Sequence, residues 1–172
     1  MTVSERGNNV VLVGLMGAGK STVGRELASH LGFSFIDTDD ELERRMGVSI
    51  PVIFDVEGET GFRVRESKVI EDMPLQKNAV ISTGGGAVLS AENRKHLRQA
   101  GAIVYLSASV DVLYDRTKNS KKRPLLQKTD IKETIQRLIS EREDIYQDVA
   151  DIIVESGQCS PREMAKKISE KL

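Results

Sequence analysis

The sequence predicts a single α/β domain in which helices cover both faces of a parallel sheet. Short β-rich runs alternate along the chain with amphipathic helical patterns, which is typical of such sheets. The length of 172 residues and the hydrophobic content of 39% suit one domain with one core. A glycine-rich stretch at residues 14–21 follows an apolar run and precedes a helical pattern, which indicates a phosphate-binding loop.

The predicted strands are five short runs rich in apolar and β-branched residues. They cover residues 10–13, 33–36, 79–82, 103–106 and 152–154. Helical patterns occupy residues 20–31, 40–46, 57–72, 90–99, 109–117, 130–148 and 160–171. Because ligands of parallel sheets collect beyond the carboxyl ends of the strands, we expect the site at the glycine loop, at residues 37–39 and at residues 83–86.

The glycine loop reads GLMGAGKS and matches the pattern GxxxxGK[ST] directly after the apolar run 10–13. Its glycines allow backbone N–H groups to turn inward toward phosphate oxygens. Lys20 adds a cation, and the hydroxyl of Ser21 is suited to ligate Mg²⁺. The pattern therefore predicts binding of a nucleoside triphosphate. The alternative is a glycine-rich turn without a ligand.

Composition excludes several classes of protein. Lysine and arginine total 25 against 26 aspartates and glutamates, so the net charge of −1 creates no field that attracts nucleic acid or anionic membranes. The one cysteine, Cys159, excludes an internal disulfide framework. The N-terminus lacks the apolar core of a signal peptide, and no apolar run approaches a membrane span. We therefore expect a cytoplasmic protein with no nucleic-acid partner and no membrane association.

Asp37 and Asp39 follow the second predicted strand and are candidate ligand-binding carboxylates. One carboxylate at this position can hold Mg²⁺ through water while the other reaches a different ligand. Helix N-capping by Thr38 or Asp39 is the alternative. The third predicted strand ends in serine and threonine rather than aspartate, which favours Asp37 as the metal-linked carboxylate. The glycines at 84–86 either permit a tight turn or let the backbone approach a hydroxylated substrate.

Four arginines are candidate anion-binding residues. Arg63 and Arg142 lie on predicted helices, while Arg116 and Arg123 bracket a lysine-rich segment. A guanidinium group binds a carboxylate or a phosphoryl group bidentately, although a solvated surface position is the alternative for each residue. The polar segment 118–126 is predicted to be a loop. Its lack of aromatic residues argues against a nucleic-acid patch.

Six motifs occur together along the chain. They are GLMGAGKST, DTD, FDVEGETGFRVRE, STGGG, KKRPLL, and ER followed after three residues by tyrosine. Their order and spacing resemble the shikimate kinase family over essentially the whole chain. The glycine loop alone belongs to many families, whereas DTD with GFRxxE, TGGG and RPLL is specific to this one.

The resemblance implies a P-loop, nucleoside-monophosphate-kinase-like fold with a five-stranded parallel sheet of order 2-3-1-4-5 flanked by helices. It implies one domain over residues 1–172, with a substrate-binding subdomain at 37–73 and a lid at 118–127. The implied activity is ATP-dependent phosphorylation of the 3-hydroxyl of shikimate in chorismate and aromatic amino-acid biosynthesis. The implied partners are ATP and shikimate, the implied cofactor is Mg²⁺, and we expect a monomer.

The resemblance also implies roles for individual residues. The ATP-binding residues would be Gly17, Ala18, Gly19, Lys20, Ser21, Thr22, Arg116 and Arg123. The substrate-binding residues would be Asp39, Arg63, Gly84, Gly85, Gly86 and Arg142. The metal ligands would be Ser21 and, through water, Asp37. The catalytic residues would be Lys20, Asp39 and Arg123.

Some of these implied roles are more specific. Asp39 would bind the reacting hydroxyl as a general base, and Arg116 would stack on adenine beside the loop 156–161. Glu66 would hold Arg63 in place. The chain departs from many members of the family at residues 143–145, which read EDI where those members have a proline.

Other nucleotide-binding proteins are weaker alternatives. Residues 55–58 match the DxxG pattern of GTPases and residues 127–130 approach NKxD, but neither follows a strand-like run. A regulatory module without catalysis would be expected to lack Lys20, Asp39 or Arg123. A gluconate or nucleotide kinase is the nearest competitor, and the pair of arginines with TGGG argues against it.

Overall fold

The computed structural model describes residues 7–118 and 130–172. Within them, five parallel strands form one sheet of order β2-β3-β1-β4-β5, which confirms the predicted fold class and strand order. The strands are β1 (Asn9–Val13), β2 (Ser34–Asp37), β3 (Ala79–Ser82), β4 (Gly101–Ser107) and β5 (Ile152–Glu155). The helices are α1 (Lys20–Leu31), α2 (Thr38–Met46), α3 (Ile50–Glu71), α4 (Ala91–Ala100), α5 (Val110–Thr117), α6 (Ile131–Val149) and α7 (Pro161–Ser169).

The central strand β1 positions the glycine loop. Its five residues are all buried, because it pairs with β3 on one side and β4 on the other while helices cover both faces. Val11, for example, lies between Ile81 and Ile103 in the register. The loop after β1 therefore opens at the middle of the carboxyl edge, between the ends of β3 and β4.

Helix α1 packs unusually close to the sheet. A side chain at Gly24 would place its Cβ 2.6 Å from Phe35 Cε2 and 3.2 Å from Leu12 Cδ1. The absence of a side chain thus allows the helix to approach β1 and β2 directly. This contact fixes the N-terminus of α1, which starts immediately after the loop.

Helix α3 differs from the prediction, which placed its start at residue 57. It starts at Ile50, with Pro51 in its first turn, and bends at Gly58, where φ is 68° and ψ is −176°. Proline presets φ for a first helical turn, and glycine tolerates the positive φ of the bend. Residues 55–57 of the DxxG segment are therefore helical and its glycine forms the bend, which agrees with its rejection as a GTPase motif. None of the helices in the described ranges is long and apolar enough to span a membrane.

Asn9 joins the starts of two strands and the end of a helix. Its Nδ2 atom donates to the carbonyl oxygens of Gln76 at 2.8 Å and Ala100 at 2.9 Å. Its Oδ1 atom accepts from the backbone N–H of Ala79 at 3.0 Å. The side chain is buried, so these backbone groups have little access to water.

We expect Asn9→Ala to lower the free energy of unfolding by about 2–4 kcal/mol, because three buried backbone groups lose their partner. Urea unfolding of the variant and of Asn8→Ala, which alters an exposed neighbour, measures the difference. A loss for Asn9→Ala no larger than that for Asn8→Ala would contradict the assigned role.

Candidate active site

The glycine loop forms a cradle for an anion between β1 and α1. Gly14, Gly17 and Gly19 have φ values of 140°, 82° and 97°, which side-chain-bearing residues rarely adopt. A side chain at Gly17 would also bring its Cβ to 2.8 Å from Thr117 Cγ2. The loop leads into the N-terminus of α1, whose first N–H groups and dipole favour negative charge.

Lys20 and Arg116 surround this loop with positive charge. The Lys20 ammonium donates to the carbonyls of Gly14 at 2.7 Å and Leu15 at 3.0 Å, and its side chain is largely buried. Arg116 Nη1 donates to the carbonyls of Gly17 at 3.0 Å and Ala18 at 3.2 Å. The ammonium group of Lys20 is thus held at the mouth of the loop, where it adds positive charge.

Arg116 also reaches the segment predicted to complete the nucleotide pocket. Its Nη1 atom lies 3.4 Å from Ser156 Oγ at the start of residues 156–161. Thr22 is exposed in the first turn of α1, on the same side of the sheet edge as the loop. The structure thus brings together the predicted nucleotide-binding residues that it describes.

Ser21 and Asp37 form the candidate metal site. Ser21 Oγ donates to Asp37 Oδ2 at 2.6 Å and lies 3.4 Å from Ser82 Oγ. Asp37 Oδ1 accepts from the backbone N–H of Asp39 at 3.0 Å and thereby caps α2. The capping alternative is thus realised by Asp37 rather than by Thr38 or Asp39, and the second carboxylate oxygen still faces Ser21.

These oxygen donors fit Mg²⁺. No cluster of three or more histidine, cysteine or acidic side chains suited to a metal ion occurs within 7–118 and 130–172. A hydroxyl and a carboxylate leave most coordination positions for phosphate oxygens and water, as Mg²⁺ sites in nucleotide-binding proteins commonly do.

Asp39 and Glu66 converge on Gly84 beyond the end of β3. A side chain at Gly84 would place its Cβ 2.6 Å from Glu66 Oε1 and 3.1 Å from Asp39 Oδ1. Both oxygens are buried without a hydrogen-bond partner among the described residues. Gly84 is therefore required for space, and the two carboxylates face a region where a ligand could supply donors.

Two arginines complete this cluster. Arg63 Nη1 donates to Glu66 Oε2 at 2.7 Å, so the predicted contact between these residues is present, and Nη2 reaches Glu59 Oε1 at 3.2 Å. The Arg63 guanidinium packs against Gly86, where any side chain would collide with it. Arg142 is buried on α6, and its Nε atom has no hydrogen-bond partner within the described ranges.

The electrostatic environment adjusts the pKa values of both carboxyl groups. Burial, followed by the charges of Asp37 and Glu66, raises the pKa of Asp39 from 3.8 to about 7, although Lys20 opposes the shift. Burial also raises the pKa of Glu66, against the lowering effect of Arg63. A carboxylate with a pKa near neutrality is suited to accept a proton at physiological pH.

Arg123 and residues 119–127 of the predicted lid lie outside the described residues. Lys118, the remaining lid residue, pairs with Asp115 at 2.8 Å at the end of α5. The departure at residues 143–145 leaves Arg142 on the buried face of α6 together with Tyr146. Tyr105, which stacks on Tyr146, could not be singled out from the sequence, because an aromatic residue in an inner strand resembles ordinary core.

The chain is similar to known proteins over most of its length. A family model described as shikimate kinase matches residues 16–172. A curated shikimate kinase of Nitrosospira multiformis is 47% identical over 164 residues, covering 95% of this chain and 84% of that protein. One of Nitrosomonas europaea is 49% identical, covering 95% and 78%.

Solved structures show the same similarity. The shikimate kinase from Acinetobacter baumannii in complex with shikimate has a TM-score of 0.93 and 44% identity, covering 97% of this chain and 93% of that one. The enzyme from Aquifex aeolicus has a TM-score of 0.81 and 40% identity, covering 94% of each chain. A sugar kinase from Janibacter, with a TM-score of 0.64 and 15% identity over 95% and 93%, shares the fold alone.

We expect Asp39→Asn to stabilise the protein above neutral pH. With its folded-state pKa raised from 3.8 to about 7, Asp39 keeps a proton between these values that the unfolded chain releases. Stability is therefore lost as the pH rises from about 4 to 7, and the charge destabilises the native state above that range. Removing the charge should increase the free energy of unfolding at pH 8 by about 1–3 kcal/mol.

Urea unfolding at pH 8, 6 and 4 measures this effect, and the gain should shrink toward pH 4. Asp40→Asn is the control, because that exposed carboxylate lies 3.9 Å from Arg25 and has the weakest of the named effects on the pKa of Asp39. If Asp39→Asn is no more stable than the parent at pH 8, the charge of the buried carboxylate does not destabilise the folded state.

Proposed function

The chain belongs to the shikimate kinase family, and we propose that it transfers the γ-phosphoryl group of ATP to the 3-hydroxyl of shikimate. The observation that carries the proposal is the pairing of two half-sites at one sheet edge. A cationic phosphate loop lies beside a cluster of buried carboxylates and arginines. Some polar atoms of this cluster have no hydrogen-bond partner among the described residues. This chemistry fits a polyhydroxylated carboxylic acid, placed where it can react with a bound nucleotide.

On the donor side, we assign the phosphates of ATP to the loop and the first turn of α1. Backbone N–H groups from Gly17 to Thr22 and the Lys20 ammonium would neutralise the phosphate oxygens. Ser21 and Asp37 would hold Mg²⁺, which when bound neutralises further phosphate charge. Arg116 would border the adenine together with the loop 156–161, an assignment supported by its contact with Ser156.

On the acceptor side, we assign the shikimate carboxylate to Arg63 and Arg142. Planar guanidinium groups bind a carboxylate bidentately, and the unpartnered Nε of Arg142 leaves a donor for it. Asp39 would accept a hydrogen bond from the 3-hydroxyl and take its proton as the phosphoryl group transfers. The glycines at 84–86 would let the ring approach the backbone closely.

Chemistry at this site would depend mainly on position and charge. Phosphoryl transfer has a loose transition state, so catalysis consists largely of aligning the two oxygens and neutralising charge. A base such as Asp39 accepts the proton late, and its pKa of about 7 suits this role. An uncharged sugar would leave buried arginine donors unpaired, which lowers its affinity.

The remaining assignments rest on the sequence motifs. Arg123 would neutralise the transferring phosphoryl group from a lid at 118–127, and residues 37–73 would form the substrate-binding subdomain. The described part of that subdomain supplies Asp39, Arg63 and Glu66 to the acceptor side, which supports the assignment.

We expect ADP release to depend on shikimate. A coupled assay with ATP and Mg²⁺ should show strong stimulation by shikimate and far less by quinate, gluconate or AMP, because the acceptor site combines a carboxylate clamp with a compact ring contact. The rate at subsaturating shikimate should rise with pH and level off above about 7, as Asp39 loses its proton. Stimulation by gluconate or AMP greater than that by shikimate would refute the proposed function.

We expect Arg63→Ala to weaken shikimate binding by about 2–4 kcal/mol while ATP binding changes little. Arg63→Lys should restore only part of the loss, because an ammonium group cannot form the bidentate contact. Titration calorimetry with each ligand measures both effects. Arg65→Ala is the matched control, since Arg65 pairs with Glu57 at the surface of the same helix. Equal losses for the two ligands would assign Arg63 a structural role instead.

A further inference from the structure

Tyr105 on β4 and Tyr146 on α6 form a stacked pair beneath the site. Their ring centroids lie 4.9 Å apart at an interplanar angle of 19°. The two side chains are 3% and 0% exposed, so the pair is part of the core by burial. Such a pair would ordinarily contribute packing alone. Its outward contacts, however, include Gly85 at one end and Glu143 at the other, and Tyr146 also has a side-chain hydrogen bond with Arg142.

The Tyr146 hydroxyl donates to the carbonyl oxygen of Gly85. In a planar trans peptide, the carbonyl of Gly85 and the N–H of Gly86 point in opposite directions. Holding the carbonyl toward Tyr146 therefore fixes the N–H of Gly86 toward the other side of the loop. Since glycine peptides reorient at low energetic cost, this hydrogen bond selects one orientation.

The ring of Tyr105 lies near the phosphate loop. A side chain at Gly14, the first glycine of the phosphate loop, would place its Cβ 3.4 Å from Tyr105 Cε2. The carbonyl of Gly14 is also the acceptor for Lys20 at 2.7 Å. The two loops meet at this point, because a Cβ on Gly85 would lie 3.5 Å from that same carbonyl oxygen.

Glu143 anchors the pair from α6. The Tyr105 hydroxyl donates to Glu143 Oε2 at 2.6 Å, and Glu143 Oε1 accepts from Gln147 Nε2 at 2.8 Å. Burial, and then Glu143, raise the pKa of Tyr105, while burial raises the pKa of Tyr146 to about 12. Both hydroxyls thus remain donors at neutral pH. Glu143 directly follows Arg142, so the anchor also ties the helix that carries this arginine to β4.

We propose that Tyr105 and Tyr146, anchored by Glu143, are positioning residues that align the acceptor loop at 84–86 with the phosphate loop. The inference rests on the proposed function, because alignment matters only if the two loops hold the two substrates. It assigns a positioning role to Glu143, the first residue of the EDI segment. A purely structural role would lower stability without favouring either substrate.

The test compares Tyr146→Phe and Tyr105→Phe with Tyr114→Phe, the matched change at the third tyrosine of the chain. Tyr146→Phe should raise the KM and the calorimetric Kd for shikimate about fivefold or more while the Kd for ATP stays within about twofold. Tyr105→Phe should act in the same direction by a smaller factor. In the double variant, the increase should be less than the product of the two, since both changes act through one loop.

Glu143 provides a conservative rescue. Glu143→Ala should raise the KM for shikimate as Tyr105→Phe does, and Glu143→Gln should recover part of the loss because an amide oxygen can still accept from Tyr105. Tyr114→Phe should leave both substrate constants unchanged.

The outcomes separate this inference from the proposed function. The positioning role alone would be overturned if the parent enzyme is active and the KM and Kd for shikimate of Tyr146→Phe and Tyr105→Phe stay within twofold of the parent values. Equal weakening of shikimate and ATP would likewise overturn it, because it indicates general loosening. A parent enzyme without shikimate-dependent ADP release would overturn both. If a melting experiment shows that Tyr146→Phe does not fold, the shikimate constants of Tyr105→Phe decide the result.

Discussion

Burial of opposite charges at the carboxyl edge of the sheet is the constraint on which the site depends. Asp39 and Glu66 lie against Gly84, and their charges are offset by Lys20, Arg63 and Arg142. Removing these groups from water costs several kcal/mol each, which the ion pair between Arg63 and Glu66 offsets only in part. The raised pKa of Asp39 and the unpartnered atoms of Glu66 and Arg142 show that part of this desolvation cost is not compensated within the protein. A ligand with hydroxyl groups and a carboxylate would supply the missing hydrogen-bond partners. Binding such a ligand would therefore relieve a cost that lowers the stability of the free protein.

Glycine serves two distinct purposes around these charges. In the phosphate loop, Gly14, Gly17 and Gly19 adopt positive φ values that bring backbone N–H groups toward one point. Beyond β3, Gly84 and Gly86 instead make room, because a methyl group would collide with Glu66 at one and with Arg63 at the other. The first use is conformational and the second is steric. An alanine in the TGGG segment would therefore displace charged side chains even where the backbone itself could accept it.

The sequence predicted the donor side better than the acceptor side for a physical reason. The phosphate loop is continuous in sequence, so its strand, glycines and helix can be recognised together. The acceptor cluster is assembled from α2, α3, α6 and the end of β3, and spacing along the chain does not reveal that Asp39 and Glu66 meet at Gly84. The predicted helix at 57–72 corresponds to the part of α3 at and after the bend at Gly58, whereas the pattern does not predict the part that precedes the bend. The sequence offers Thr38 or Asp39 as the cap of α2, whereas in the structure Asp37 is the cap, with one carboxylate oxygen on the backbone N–H of Asp39 and the other facing Ser21.

The shared fold explains where specificity can reside. A sugar kinase with 15% identity shares the fold, and a fold by itself does not determine which acceptor is used. Selection must come from side chains on α2, α3 and α6, which can change while the sheet remains. These helices are nevertheless not independent of the donor side, because Tyr146 on α6 reaches Gly85 and stacks on Tyr105, whose ring lies close to Gly14. A change of acceptor in this fold therefore requires more than new contacts to the substrate, since it must also preserve the junction that aligns the two loops.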